Sequence, residues 1–226
     1  MIYIKTDSAI EALKNLGFSL SEKQIAVVCS RAINRSLYQG RTKARRQVKT
    51  VYNISQKNLN GIDFKRANPN TVTGKLFASR KPIPIDAFSP KQETSSQSIK
   101  ITKRGTQNIK EFSQAKKNPV IGVSVEIKKG QREIIPYAFM IAGGAVRVFA
   151  RGEYKSGTQY GFVQRHERVS NDGNDVPIKP LITISEFGSI LNPKVLSEIG
   201  KEVQEFYPNR FVHELVYMIG SSSSQG

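Results

Sequence analysis

SEKQIAVVCSRAINRSLYQGRTKARRQVKTVY, residues 21 to 52, is the stretch whose reading decides the fold. Ser21 and Gln24 stand at capping-box spacing, so a helix is expected to open there. At 100° per residue, Ile25, Cys29, Ile33, Leu37, Gly40, Ala44, Val48 and Val51 fall on one apolar face. On the opposite side the same wheel gathers Arg31, Arg35, Arg41, Arg45, Arg46 and Lys49, while Lys43 lies nearer the apolar side. No acid occurs from Lys23 through Ile62, so these cations lack the i+4 carboxylates that usually accompany a solvated charged face. The helix would be about 45 Å long. Gly40 marks either a bend or a close helix contact in its middle. A cationic face of this kind is either a solvated cover over a core or a surface for polyanions.

The whole chain supports the second reading. Its 226 residues hold 35 Lys and Arg against 18 acids, a net charge of +17, and an excess of that size favours nucleic acid, an anionic surface or an acidic protein. Residues 1 to 113 carry 21 cations and 7 acids, residues 114 to 226 carry 14 and 11, so the basic function belongs to the first half. The apolar content suffices for a packed core. Cys29 is the one cysteine and cannot form an intrachain disulfide, which fits a reducing compartment. The first residues lack the basic and apolar regions of a signal peptide. The longest apolar run, Tyr137 to Val146, is about half a membrane span, so no membrane partner is expected.

The expected fold class is α+β, with a long basic N-terminal helix and C-terminal helices flanking a mostly antiparallel sheet. Residues 1 to 220 are expected to form a single domain, helical over 1–61, strand-rich over 62–185 and helical over 186–220, with 221–226 a disordered tail. Asp7 is a candidate cap for a short lead-in helix that Gly17 ends. Residues 72 to 151 supply the sheet. Within it the polar stretch 89–118 reads as an exposed excursion, although Ile99 and Ile101 alternate as in a short strand. Val120 to Ile127 alternates as a half-buried strand, and Gly143-Gly144 fits a hairpin turn between Ala138 and Arg151. Asn192-Pro193 opens a C-terminal helix with Val195, Leu196, Ile199, Val203 and Phe206 on its apolar face. Pro208 should kink or split that helix before Gly220 ends it.

Two segments carry a family resemblance. Ala32-Ile33-Asn34-Arg35, followed by spaced cations and Tyr52-Asn53-Ile54-Ser55-Gln56-Lys57-Asn58-Leu59, resembles the minor tail protein Z family of lambdoid phages and prophages. Asn53 and Gln56 would cap the second, short helix of that pattern. The likeness continues through Gly122-Val123-Ser124-Val125, Lys128-Lys129-Gly130, Pro136 to Phe139, Val148-Phe149-Ala150-Arg151 and Pro177-Ile178. It departs at residues 152–176, a loop longer than the family's, where Asp175-Val176 replaces the arginine expected before the proline. The resemblance implies a structural virion protein that completes the tail at its head-proximal end. It also implies a homo-oligomeric, hexameric ring contacting the tail terminator, tail tube and head-tail connector, with genome DNA passing through, made in the host cytoplasm and resident in the virion tail.

No catalytic, cofactor or metal site is read from the motifs. His166, His213 and Cys29 show no ligand spacing, Asp172-Gly173-Asn174-Asp175 lacks the spacing of a calcium loop, and Gly143-Gly144 is not part of a phosphate loop. The protein is therefore expected not to be an enzyme. The alternative function is a general basic nucleic-acid-binding protein, ribosome-associated or a packaging factor. It fits less well because stacking aromatics are sparse, with only Tyr38 between residues 23 and 50. Whether the six cations meet DNA or an acidic protein is open at this level.

Overall fold

The computed structural model describes residues 21–94, 99–102, 105–108, 120–136, 138–143, 145–155, 161–165 and 175–223. The lead-in capped by Asp7 lies outside these residues. The protein is α+β, with long helices near both ends and antiparallel strands between them. Contacts within the chain divide it into two compact units, where one domain was expected. The first comprises residues up to Val48, Leu59–Arg80 and Glu186 onward; the second comprises Lys49–Asn58 and Lys81–Ser185.

The first unit is built on helix α1, Glu22–Val51, whose last turn belongs to the second unit. It opens on the expected box: Gln24 N–H donates to Ser21 Oγ at 3.3 Å, and Ser21 N–H donates to Gln24 Oε1 at 2.9 Å. Two strands follow as a hairpin, β1 (Asp63–Lys65) and β2 (Lys75–Phe77), with Phe64 opposite Leu76 and Lys65 opposite Lys75. Then come a short helix α2, Glu186–Ile190, and a long helix α3, Pro193–Ser223.

Helix α1 buries a wider face than its largest apolar residues outline. Val28, Ala32, Ser36, Gly40, Ala44 and Val48 form a buried row at four-residue spacing beside Cys29, Ile33 and Leu37. The middle of the row is made of small side chains, and the Ser36 hydroxyl satisfies itself on the Ala32 carbonyl at 2.9 Å. Facing it, α3 buries Val195, Ile199, Val203, Tyr207, Phe211 and Leu215, again every fourth residue. A Cβ on Gly40 would stand 2.9 Å from Val203 Cγ2, so Gly40 marks a close helix contact. The two helices run antiparallel, since Val28 and Cys29 share a core cluster with Phe211 and Leu215, whereas Lys43 meets Glu202 near the start of α3.

Helix α3 starts as expected, with Asn192 Oδ1 accepting the Lys194 N–H at 3.1 Å. Three details differ. Leu196 is exposed, the helix passes through Pro208 without a break, and it ends at Ser223, beyond Gly220. Pro208 is itself exposed while Tyr207 and Phe211 on either side are anchored in the core, which holds both flanking turns in place. Residues 224–226 of the expected tail lie outside the described residues.

The β1–β2 hairpin is seated on α1. A Cβ on Gly74 would come within 2.4 Å of Leu37 Cδ1 and 3.2 Å of the Lys65 carbonyl oxygen, so any side chain there would displace Leu37 and crowd the hairpin backbone. Gly74→Val is expected to destabilise the protein by about 2 kcal/mol through overpacking, measured as a shift in the urea midpoint at unchanged slope. Val72 holds φ at 45°, a left-handed conformation unfavourable for a β-branched residue, and packs against the helix core.

In the second unit the strands form several small antiparallel sheets, where one sheet was expected. Strand β3 (Pro82–Pro84) pairs with the last strand of the unit, and a 3-10 turn, Ile85–Phe88, follows it. The polar stretch 89–118 contains β4 (Lys91–Thr94), β5 (Ile99–Thr102) and β6 (Gly105–Asn108), so it is partly sheet; the rest of it from 95 to 118 falls largely outside the described residues. Strands β7 (Val120–Lys128) and β8 (Gln131–Pro136) join β4 in a three-stranded sheet. Gly122, Val123, Ser124 and Val125 are all buried, so the centre of β7 is covered on both faces. Its polar side is closed by the Ser124 hydroxyl donating to Glu93 Oε1 and by Arg132 Nη1 donating to the Ser124 carbonyl at 3.2 Å.

Strands β9 (Phe139–Gly143) and β10 (Ala145–Tyr154) form the expected hairpin. Strand β11 (Phe162–Gln164) pairs with the far end of β10, so the stretch 152–176 is partly hairpin. Strand β12 (Ile178–Pro180) pairs with Phe149–Arg151, and β13 (Ile182–Ser185) pairs with β3. The Phe149–Arg151 and Pro177-Ile178 segments are therefore neighbours, with Arg151 Nη1 donating to the Val176 carbonyl at 3.4 Å. In Tyr52–Leu59, Tyr52 bridges Lys128, and Gln56–Leu59 forms a 3-10 turn in place of a helix.

Candidate nucleic-acid interface

The six cations expected to act together on α1 separate into two groups. Asn34, Arg41 and Arg45, the arginines seven and eleven positions after the asparagine, share one side of the helix and grip the chain that follows it. Asn34 Oδ1 accepts the Ala67 N–H at 2.8 Å and its Nδ2 donates to the Ala67 carbonyl at 3.0 Å. Arg41 Nη1 donates to Asp63 Oδ1 at 3.0 Å, and its guanidinium lies 5.0 Å over the Tyr38 ring and 5.1 Å over the Phe64 ring. Arg45 Nη2 donates to the Ile62 carbonyl at 2.9 Å. Arg41 and Arg45 are thus structural fasteners. Lys43 is another, with Nζ 2.9 Å from Glu202 and 3.8 Å from Glu198, and the Glu202 hydrogen bond raises its pKa.

Arg31, Arg35 and Arg46 are exposed and Lys49 is half-buried; among the described residues none of the four has a hydrogen bond or ion pair. They lie within about 60° on the helix wheel and span about 27 Å along the axis. Guanidinium and ammonium groups with no acceptor among the described residues offer donors that suit an external anion. Within residues 32–35, Ala32 and Ile33 enter the core, Asn34 clamps Ala67, and Arg35 alone faces solvent.

The gripped segment is secured from a third side. Glu186, buried at the start of α2, accepts the Gly61 N–H on Oε1 at 3.1 Å, and its Oε2 has no partner among the described residues. Burial raises its pKa, outweighing the Gly61 N–H and the nearby Arg45 that favour the charged form. A raised carboxyl binds its proton more tightly in the folded state. Glu186 therefore adds stability below the ordinary glutamate range of about 4.3, and that contribution is lost as pH rises through its folded value. Asp63 has the opposite sense: the Phe64 N–H and then Arg41 lower its pKa, so its contribution is present above about 3.9 and lost on acidification through its folded value. Glu186→Gln is expected to flatten the decline with rising pH when variant and wild-type denaturation midpoints are subtracted, whereas Asp63→Asn is expected to flatten the loss at the acidic end.

No group of three or more His, Cys, Asp or Glu among the described residues is placed to hold a metal ion. His213 is exposed on α3, and Cys29 is buried with its thiol pKa raised by desolvation. No helix among the described residues is long and apolar enough to cross a membrane. Helical periodicity did not reveal Lys65, Arg66 and Lys75, exposed cations on the hairpin that Asn34 and Gly74 hold against α1. Comparison with family models, with curated proteins and with solved structures finds no match.

Proposed function

We propose that this is a structural protein of a phage or prophage tail, a completion component similar to minor tail protein Z, whose α1 cations contact genome DNA at the head-proximal end. The observation that carries this is the line Arg31, Arg35, Arg46 and Lys49, without a partner among the described residues, while the other cations of the helix from Arg41 to Arg45 are used inside the fold. Ala32 to Arg35 and Tyr52 to Leu59 supply the place, through their resemblance to that family. A ring, sixfold like the tail it closes, would present copies of α1 around the passage, and cations beside passing phosphates gain from counterion release without reading bases. Tail terminator, tube and connector proteins are the neighbours this reading implies.

Negative-stain microscopy of the purified protein, alone and added to tails lacking this component, tests the reading. Rings, or caps at one tail end that restore head attachment, are expected. A monomer that leaves tail ends bare and heads unattached would contradict it.

A further inference from the structure

We infer that the phosphate-contacting surface extends beyond α1 onto the β1–β2 hairpin, so that Lys65, Arg66 and Lys75 bind the backbone of duplex DNA together with Arg31 and Arg35. This rests on the proposed DNA contact of α1 and adds residues that no helical pattern assigns.

Lys65 and Lys75 stand directly opposite each other in the antiparallel pair, with Phe64 and Leu76 turned into the core, so both ammonium groups share the outer face. Like charges at such a pair repel and weaken the hairpin. Arg66 adds a third exposed cation next to Ala67, and none of the three meets a carboxylate among the described residues. An anion held between them would relieve that repulsion.

The hairpin cannot move the cations apart. Asn34 clamps Ala67 on both backbone groups, Arg41 holds Asp63, Gly74 lies against Leu37 and Ile33, and Val72 is kept at positive φ. The clamp also fixes where the charges sit. Arg31 is three positions before Asn34 on the helix and Arg35 is the next residue, so the clamp ties Ala67, and with it the neighbouring Arg66, to the turn of α1 that carries both arginines. Five cations on two interlocked elements form a preorganised surface, suited to successive phosphates of one strand and indifferent to base sequence.

The test is a salt titration of affinity for a random-sequence duplex, read by fluorescence anisotropy. The variants are Lys65→Gln/Arg66→Gln/Lys75→Gln, the helix double Arg31→Gln/Arg35→Gln, and a charge-matched control, Lys57→Gln/Lys128→Gln/Lys129→Gln. The hairpin triple is expected to lower the magnitude of the log-log slope by about 2.7 and the helix double by about 1.8. The control should lower it much less. Lys75→Glu, which sets opposite charges across the pair, should melt no lower than wild type and bind more weakly, which a purely structural lysine would not do.

A wild-type slope in the hairpin triple beside a reduced slope in the helix double would overturn the extension and leave the α1 reading standing. An equal reduction by the control would overturn it too, as an effect of net charge. Displacement of the duplex by poly-L-glutamate with the same variant pattern would assign the surface to acidic polypeptide and also overturn it. Absence of any wild-type binding at low salt would remove both the extension and the DNA contact of α1.

Discussion

Ile33→Asp is expected to leave the protein largely unfolded at room temperature, while a variant two residues away, Arg35→Glu, melts like the wild type. Ile33 is 7 % exposed and packs in the cluster of Leu37, Phe211 and Leu215 that joins α1 to α3. The substitution removes that packing and places an unpaired carboxylate between two helices, a loss of about 4 kcal/mol or more. Stabilities of single domains are about 5–15 kcal/mol, so most of the margin goes. Arg35 touches no partner among the described residues, so reversing its charge changes only an exposed group. Thermal melts followed by circular dichroism separate the two. Equal destabilisation by both variants would refute the division of α1 into a core side and a free side.

The second large effect falls on binding. Arg31→Glu/Arg35→Glu/Arg46→Glu is expected to reduce affinity for duplex DNA about a hundredfold or more at moderate salt, with the melting temperature nearly unchanged. Three phosphate contacts would be lost, each worth about 0.9 in the log-log salt slope, and three repulsions gained. Arg41→Glu/Arg45→Glu makes the informative comparison. It would set a second carboxylate against Asp63 and strip the Ile62 carbonyl of its side-chain donor, so it should lower stability more than affinity. If both sets lowered affinity alike in folded protein, the separation into fasteners and free cations would be wrong.

What could be foreseen from the sequence depended on whether the signal was local. The cap at Ser21 and Gln24, the stripe from Cys29 to Val48 and the start at Asn192 are set by residues within one or two turns of each other, and each appears in the structure. Gly40 was legible as a special position because glycine mid-helix is unfavourable, and Val203 supplies the reason. The capture of Arg41 and Arg45 was not legible. Their acceptors, Asp63 and the Ile62 carbonyl, belong to the chain beyond the helix, and a carbonyl acceptor has no sequence signature. Absence of acids between Lys23 and Ile62 therefore left the fasteners indistinguishable from free cations; Asp63, Glu198 and Glu202 approach from other elements.

The hairpin cations were hidden for a related reason. Register, which no short pattern fixes in three-residue strands, sets Lys65 opposite Lys75. Strand β4 and the continuity of α3 through Pro208 were missed because tertiary contacts overrode local preference. Glu93 reaches Ser124 across the sheet, and Tyr207 with Phe211 holds both sides of the proline. The division into two units also depends on contacts distant in sequence, since Leu59–Arg80 groups with the terminal helices and Lys81–Ser185 does not.

The central claim, that α1 presents unpaired cations to phosphate, is tested most directly by a salt titration of the wild-type protein with two unrelated random-sequence duplexes. The expected result is binding at low salt, a log-log slope of magnitude at least about 3.6 for four contacts, and the same slope on both duplexes. No measurable binding at low salt, or a slope unchanged in the Arg31→Glu/Arg35→Glu/Arg46→Glu variant, would contradict it.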